Sequence, residues 1–65
     1  MNNLAEIMKK EKITPVKLSE MTGIGSNNIR RIMQDKNVTP YYRTALKLSE
    51  ALGYTVAQIR GEKEI

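Results

Sequence analysis

The feature that most constrains this 65-residue chain is Gly23-Ile24-Gly25, set between two helix-length stretches. Upstream, Ile13 to Thr22 reads ITPVKLSEMT. Thr14 can cap a helix with its hydroxyl, and Pro15 suits the first helical position, where a missing N–H costs nothing. Val16, Leu18 and Met21, with Thr22 beside them, mark the inner side of a short amphipathic helix. Gly23 ends it, because glycine adopts the positive φ of a helix stop without steric cost. Downstream, Ser26 to Gln34 restarts as a helix with an inward stripe of Ile29, Ile32 and Met33. The pattern is two short helices joined by a tight turn.

The outward side of the second helix carries Ser26, Asn27, Asn28, Arg30, Arg31 and Gln34, with no carboxylate before Asp35. Such side chains can donate to phosphates or read base edges. A helix, a glycine turn and a polar second helix form the helix-turn-helix signature. Leu18, Ser19, Gly23, Ile24, Ile29 and Ile32 fall at the spacing of one family, and Pro40, Leu48, Leu52, Gly53, Val56 and Ile59 continue it. On those residues the sequence resembles the phage repressor/Cro-type (XRE) helix-turn-helix family over nearly its whole length.

The resemblance implies an all-α, five-helix domain with the helix-turn-helix at the second and third helices. The expected helices are 3–12, 15–22, 26–34, 40–52 and 56–60, with a frayed tail at 61–65. It also implies a sequence-specific regulator of transcription that binds a palindromic double-stranded DNA operator. Such a protein acts as a homodimer, including one that forms only on DNA. Positions that most often read bases in the family correspond to Ser26, Asn27 and Arg31, with Arg30 often outward; Asn28 and Gln34 join them as candidates on chemical grounds. The connection after the second motif helix lies along the DNA backbone in the family. Lys36, Asn37, Tyr41, Tyr42 and Arg43 are therefore phosphate-binding candidates, joined by Thr14 and Lys17 at the start of the first motif helix, and Tyr54, Val56 and Ile59 are the candidates for closing the core or forming a dimer face.

Three departures from the family pattern are informative. Many members pair an arginine on the first helix with a glutamate near the end of the recognition helix; those positions hold Met8 and Met33. An apolar pair can replace a buried ion pair without loss, since desolvation offsets much of the attraction, and two thioethers adapt to the gap. Met8 and Met33 are expected to touch. Pro15 stands where many members have a phosphate-binding glutamine, leaving Thr14 and Lys17 as substitutes. Gly25 replaces a capping serine or threonine, which removes a side-chain cap but allows close approach to a backbone.

The remaining elements follow from local chemistry. Asn2 and Asn3 are candidate caps for a first helix whose inward face holds Leu4, Ile7 and Met8. Ile13 is expected in the core beside Val16, as a hydrophobic staple. Thr39 and Pro40 should open the fourth helix, with Ala45, Leu48, Ser49 and Leu52 inward and free N–H groups at its start. Thr55-Val56-Ala57-Gln58 has the form of a capping box.

Composition limits the alternatives. With no histidine and no cysteine, the common zinc ligand sets and histidine-based general catalysis are missing. The carboxylates are dispersed, and Gly23-Ile24-Gly25 lacks the strand and further glycines of a dinucleotide loop. The expectation is a non-enzyme with no cofactor and no metal. No apolar run reaches the ~20 residues of a membrane span, and MNNLAEIMKK lacks the layout of a secretory leader, so a cytoplasmic site is expected. A net charge of +4 suits a polyanionic partner. The competing reading is a protein-interaction module, antitoxin- or antirepressor-like, whose mark would be an exposed apolar patch on the last helix.

Overall fold

The computed structural model describes residues 1–65 and contains five helices and no strand: α1 (Leu4–Glu11), α2 (Pro15–Thr22), α3 (Ser26–Gln34), α4 (Tyr42–Leu52) and α5 (Val56–Arg60). α2 and α3 pack on each other through the Gly23–Gly25 turn, α4 packs on α2 and α5, and α1 closes against α3 and α5. The core lies where these meet. Leu4, Ile7 and Met8 come from α1, Leu18 from α2, Ile29 and Ile32 from α3, Ala45, Leu48 and Leu52 from α4, and Ile59 from α5. Ile24, in the turn, is buried with them. Each large aliphatic side chain withdrawn from water contributes ~1.5–3 kcal/mol against the entropy of ordering the chain.

Most helix ends form as local chemistry dictates. Thr14 Oγ1 accepts from Lys17 N–H at 3.2 Å, with Pro15 at the first helical position. Gly23 takes φ 77° and donates its N–H to Ser19 O at 2.8 Å. Thr22 Oγ1 donates to Leu18 O at 2.8 Å and accepts from Ile24 N–H at 3.2 Å, which ties the turn to α2. Gly25 precedes α3 without a side-chain cap. The capping box of α5 is complete: Gln58 N–H donates to Thr55 Oγ1 at 3.1 Å, and Thr55 N–H to Gln58 Oε1 at 2.9 Å.

Several expectations are corrected. In α2 only Leu18 is buried; Val16 is 53% exposed and Met21 is also exposed. Val16 lies about 200° around the helix from Leu18, almost on the opposite side, so it cannot share its face. The staple therefore does not involve Val16: Ile13 packs against the core cluster that contains Leu18, the residue at the staple's usual helical position. α4 begins at Tyr42 rather than residue 40. Tyr41 is extended at its N-cap, the first bond runs from Ala45 N–H to Tyr41 O at 2.8 Å, and Pro40 is spent as a buried side chain instead of opening the helix.

α1 spans residues 4–11, one shorter at each end than expected, with Lys12 in the left-handed region at φ 57°. Asn3 makes no side-chain cap, whereas Asn2 Oδ1 accepts from Leu4 N–H at 3.1 Å. Residues 61–65, expected to fray, are tied down near their start. Glu62 N–H donates to Ala57 O at 2.8 Å, and Lys63 O accepts from Asn3 Nδ2 at 3.0 Å. Met8 is buried in the core cluster, and Met33 packs half-buried against that same cluster.

Candidate nucleic-acid interface

The recognition face is built by the periodicity of α3. Ile29 and Ile32 point into the core, which turns Asn27, Arg30, Arg31 and Gln34 outward into solvent and leaves Ser26 and Asn28 half-buried at the edge. All six sequence candidates for base reading thus belong to one helix, with four exposed. Arg31 Nη2 donates to Asn28 Oδ1 at 3.0 Å. This bond holds the guanidinium along the helix face and leaves the Asn28 Nδ2 amide available as a donor.

A groove of about 170 Å³ separates α3 from the start of α4. Asn28 and Arg31 form one wall, Thr39, Tyr41 and Thr44 the other, over an apolar floor that includes Ile32 and Val38. The groove therefore unites base-reading candidates with a phosphate candidate, Tyr41. Tyr41 is 83% exposed and Tyr42 61%, too open for either to be a core residue. Arg43 is exposed in the same first turn. No side chain caps α4, so the N–H groups of its first turn face outward as donors at the positive end of the helix dipole.

Other phosphate candidates stand apart from that groove. Thr14 and Lys17 are exposed at the start of α2; the Thr14 hydroxyl already accepts the capping bond and retains its O–H as a donor. Lys36 Nζ lies 3.9 Å from Glu6 Oε1 on α1, a loose surface pair of little energetic weight. Asn37 N–H donates to Asp35 Oδ1 at 3.0 Å, so the connection after α3 is folded around a carboxylate. The Asn37 backbone N–H is thus held by Asp35, while its side-chain amide and the Lys36 ammonium remain exposed.

The dimer candidates divide. Ile59 is completely buried and belongs to the core, so it cannot form a surface; its position on α5 faces α4 and α1. Tyr54 and Val56 are half-buried and pack on the core. Tyr54 OH donates to Glu11 Oε2 at 2.9 Å. That hydrogen bond, with partial burial and the carboxylate's charge, raises the phenol above its ordinary value of 10.0.

Sequence reasoning missed two features here. The Arg31–Asn28 bond was readable from their i, i+3 spacing. Thr44, which lines the groove, carried no signal beyond its place in the first turn of α4. No cluster of three His, Cys, Asp or Glu side chains is present, and no helix is long and apolar enough to cross a membrane.

A family model described as the Cro/C1-type HTH DNA-binding domain matches residues 3–61. No curated protein and no solved structure matches the chain. The matched span includes every helix and all the base-reading and phosphate candidates.

Proposed function

The chain belongs to the Cro/C1-type helix-turn-helix family of DNA-binding regulators, and from that premise we propose that it is a repressor or Cro-like switch protein that binds a palindromic operator as a homodimer. One observation carries the reading. The exposed face of α3 holds Asn27, Arg30, Arg31 and Gln34 without a carboxylate, and a groove joins it to the uncapped start of α4. Base contacts from the first and phosphate contacts from the second would orient the domain on a duplex. Asparagine pairs bidentately with adenine and arginine with guanine. Phosphate donors would be the N–H groups of α4, with Tyr41, Tyr42 and Arg43 beside them, and Thr14 and Lys17 at α2.

A homodimer would set two α3 helices in successive major grooves, with half-site centres about one turn, or ~34 Å, apart. Tyr54 and Val56 are the proposed contact. Their limited exposure fits a weak dimer that assembles on DNA, where two linked half-sites raise the local concentration of one protomer for the other. The same limited exposure argues against a module specialised for protein partners, which would need a broader apolar face on α5.

Selection of bound sequences from random duplex DNA at near-physiological salt tests the proposal. A recovered palindrome is the expected outcome, with its spacing giving the distance between recognition helices. Weak, salt-sensitive binding without a motif would overturn it.

A further inference from the structure

Four of the five helices stop on a residue in the left-handed region: Lys12 after α1, Gly23 after α2, Gly53 after α4 and Gly61 after α5. The recognition helix does not. Asp35, which follows α3, is extended at φ −118° and ψ 99°. Its N–H closes onto Arg31 O and its own carbonyl accepts from Val38 N–H at 3.1 Å, but no backbone N–H from the following residues reaches Ile32 O.

That carbonyl, with two from the connection that follows, accepts from a residue thirty or more positions upstream. Asn2 Nδ2 donates to Ile32 O at 3.0 Å, Asp35 O at 3.2 Å and Val38 O at 2.7 Å, so its two hydrogens are shared among three acceptors. Asn2 N–H donates to Lys36 O at 2.8 Å. With Oδ1 bound to Leu4 N–H, both polar atoms of the Asn2 side chain are engaged, and the residue is 3% exposed. Asn3 acts similarly on α5, through its N–H to Ile59 O at 3.2 Å and Nδ2 to Gln58 O at 3.0 Å. Residues 1–3 thus lie between the C-terminal ends of α3 and α5.

We propose that Asn2 is a positioning residue for DNA recognition, setting the end of α3 and the connection to α4 in the relation that both need to contact one duplex. The proposal rests on the DNA-binding reading above. Asn2 is buried and touches no DNA; it acts through the carbonyls it holds. Without its amide, buried Ile32 O and part-buried Val38 O lose a donor, Asp35 O keeps only Val38 N–H, and the 35–38 connection loses what ties it to the end of α3. Loosening there alters the offset between Arg31 on α3 and Tyr41 at the start of α4. Base contacts depend on such registration, whereas sequence-independent attraction to phosphates largely does not. Asparagine suits the position because its amide donates while its oxygen serves α1. Aspartate has the same shape but would turn an oxygen toward the carbonyls.

The test uses the full chain with Asn2→Ser and Asn2→Asp, and Asn3→Ala as a control that loosens α5 alone. Amide NMR shifts and hydrogen exchange are read without DNA, well below each melting midpoint. Affinities for the selected duplex and a random duplex are then compared across salt concentrations. Asn2→Ser is expected to shift amides along α3 and at Tyr41–Thr44. It should reduce discrimination between the two duplexes by about tenfold at an unchanged salt slope. Asn3→Ala should leave discrimination intact. Should Asn2→Asp fail to fold, Asn2→Ser decides alone. Shifts confined to residues 1–5 and the immediate acceptors, or wild-type discrimination in folded Asn2→Ser, would overturn the proposal. Absence of sequence preference in the wild-type chain would instead defeat the DNA reading, and the amide shifts would still decide whether Asn2 positions α3.

Discussion

Arg31 and Asn28 sit one turn apart on α3, and the arginine donates to the asparagine oxygen at 3.0 Å. An arginine restrained in this way loses less side-chain freedom when it meets a base. Arg31→Ala is expected to weaken binding to the preferred duplex by ~1–3 kcal/mol, with a much smaller effect on random DNA. Asn28→Ala should cost less, and less again when Arg31 is already alanine, because part of its effect passes through the arginine. A double-mutant cycle measured by titration reads this coupling. Equal losses on both duplexes would remove Arg31 from the base-reading set.

Arg43, exposed in the first turn of α4, should behave differently. Its alanine variant is expected to weaken binding to all duplexes alike and to flatten the slope of log affinity against log salt by about one unit. An unchanged slope would show that no phosphate lies against it.

Two glycines make opposite predictions for stability. A Cβ on Gly61 would lie 1.4 Å from the Met1 carbonyl oxygen, at a φ of 85° that disfavours any side chain. Gly61→Ala should therefore lose at least ~2 kcal/mol. Gly25 has φ −58° and open space around it, so serine fits there and supplies the absent cap. Gly25→Ser should gain ~0.5–1 kcal/mol through a less flexible unfolded chain and a capped α3. Urea denaturation compares both with the parent; a stabilised Gly61→Ala would contradict the close packing of residues 1–3 on α5.

The Tyr54–Glu11 hydrogen bond has a consequence for pH. The folded chain holds the phenol proton above 10.0, whereas the unfolded chain releases it near that value. The stability linked to this proton is fully present below pH 10.0 and is lost as pH rises through the folded value. One of the three tyrosines should accordingly titrate late in tyrosinate absorbance, and Glu11→Ala should remove that late step. A titration identical in both proteins would discount the bond.

Features satisfied within a few residues were readable directly. Thr14 with Pro15, Gly23, Gly53 and the Thr55–Gln58 box each complete their bonds within a turn. The outward face of α3 was equally accessible, because the apolar positions Ile29 and Ile32 fix which side remains for solvent. Val16 and Met21 misled because α2 is short, and a face defined by so few apolar residues is easily assigned too wide.

Spacing along the chain therefore specifies five helices, their local stops and the polar face that suits a duplex. Packing settles the rest. Pro40 becomes a buried side chain and α4 starts at Tyr42; Ile59 enters the core, so of the three proposed dimer residues only Tyr54 and Val56 keep any exposure. Asn2 is the clearest case. Its acceptors lie 30 to 36 residues away, so nothing beside it in sequence announces the role. Local motifs carry their partners with them, whereas a buried amide acquires its acceptors only when distant helix ends converge.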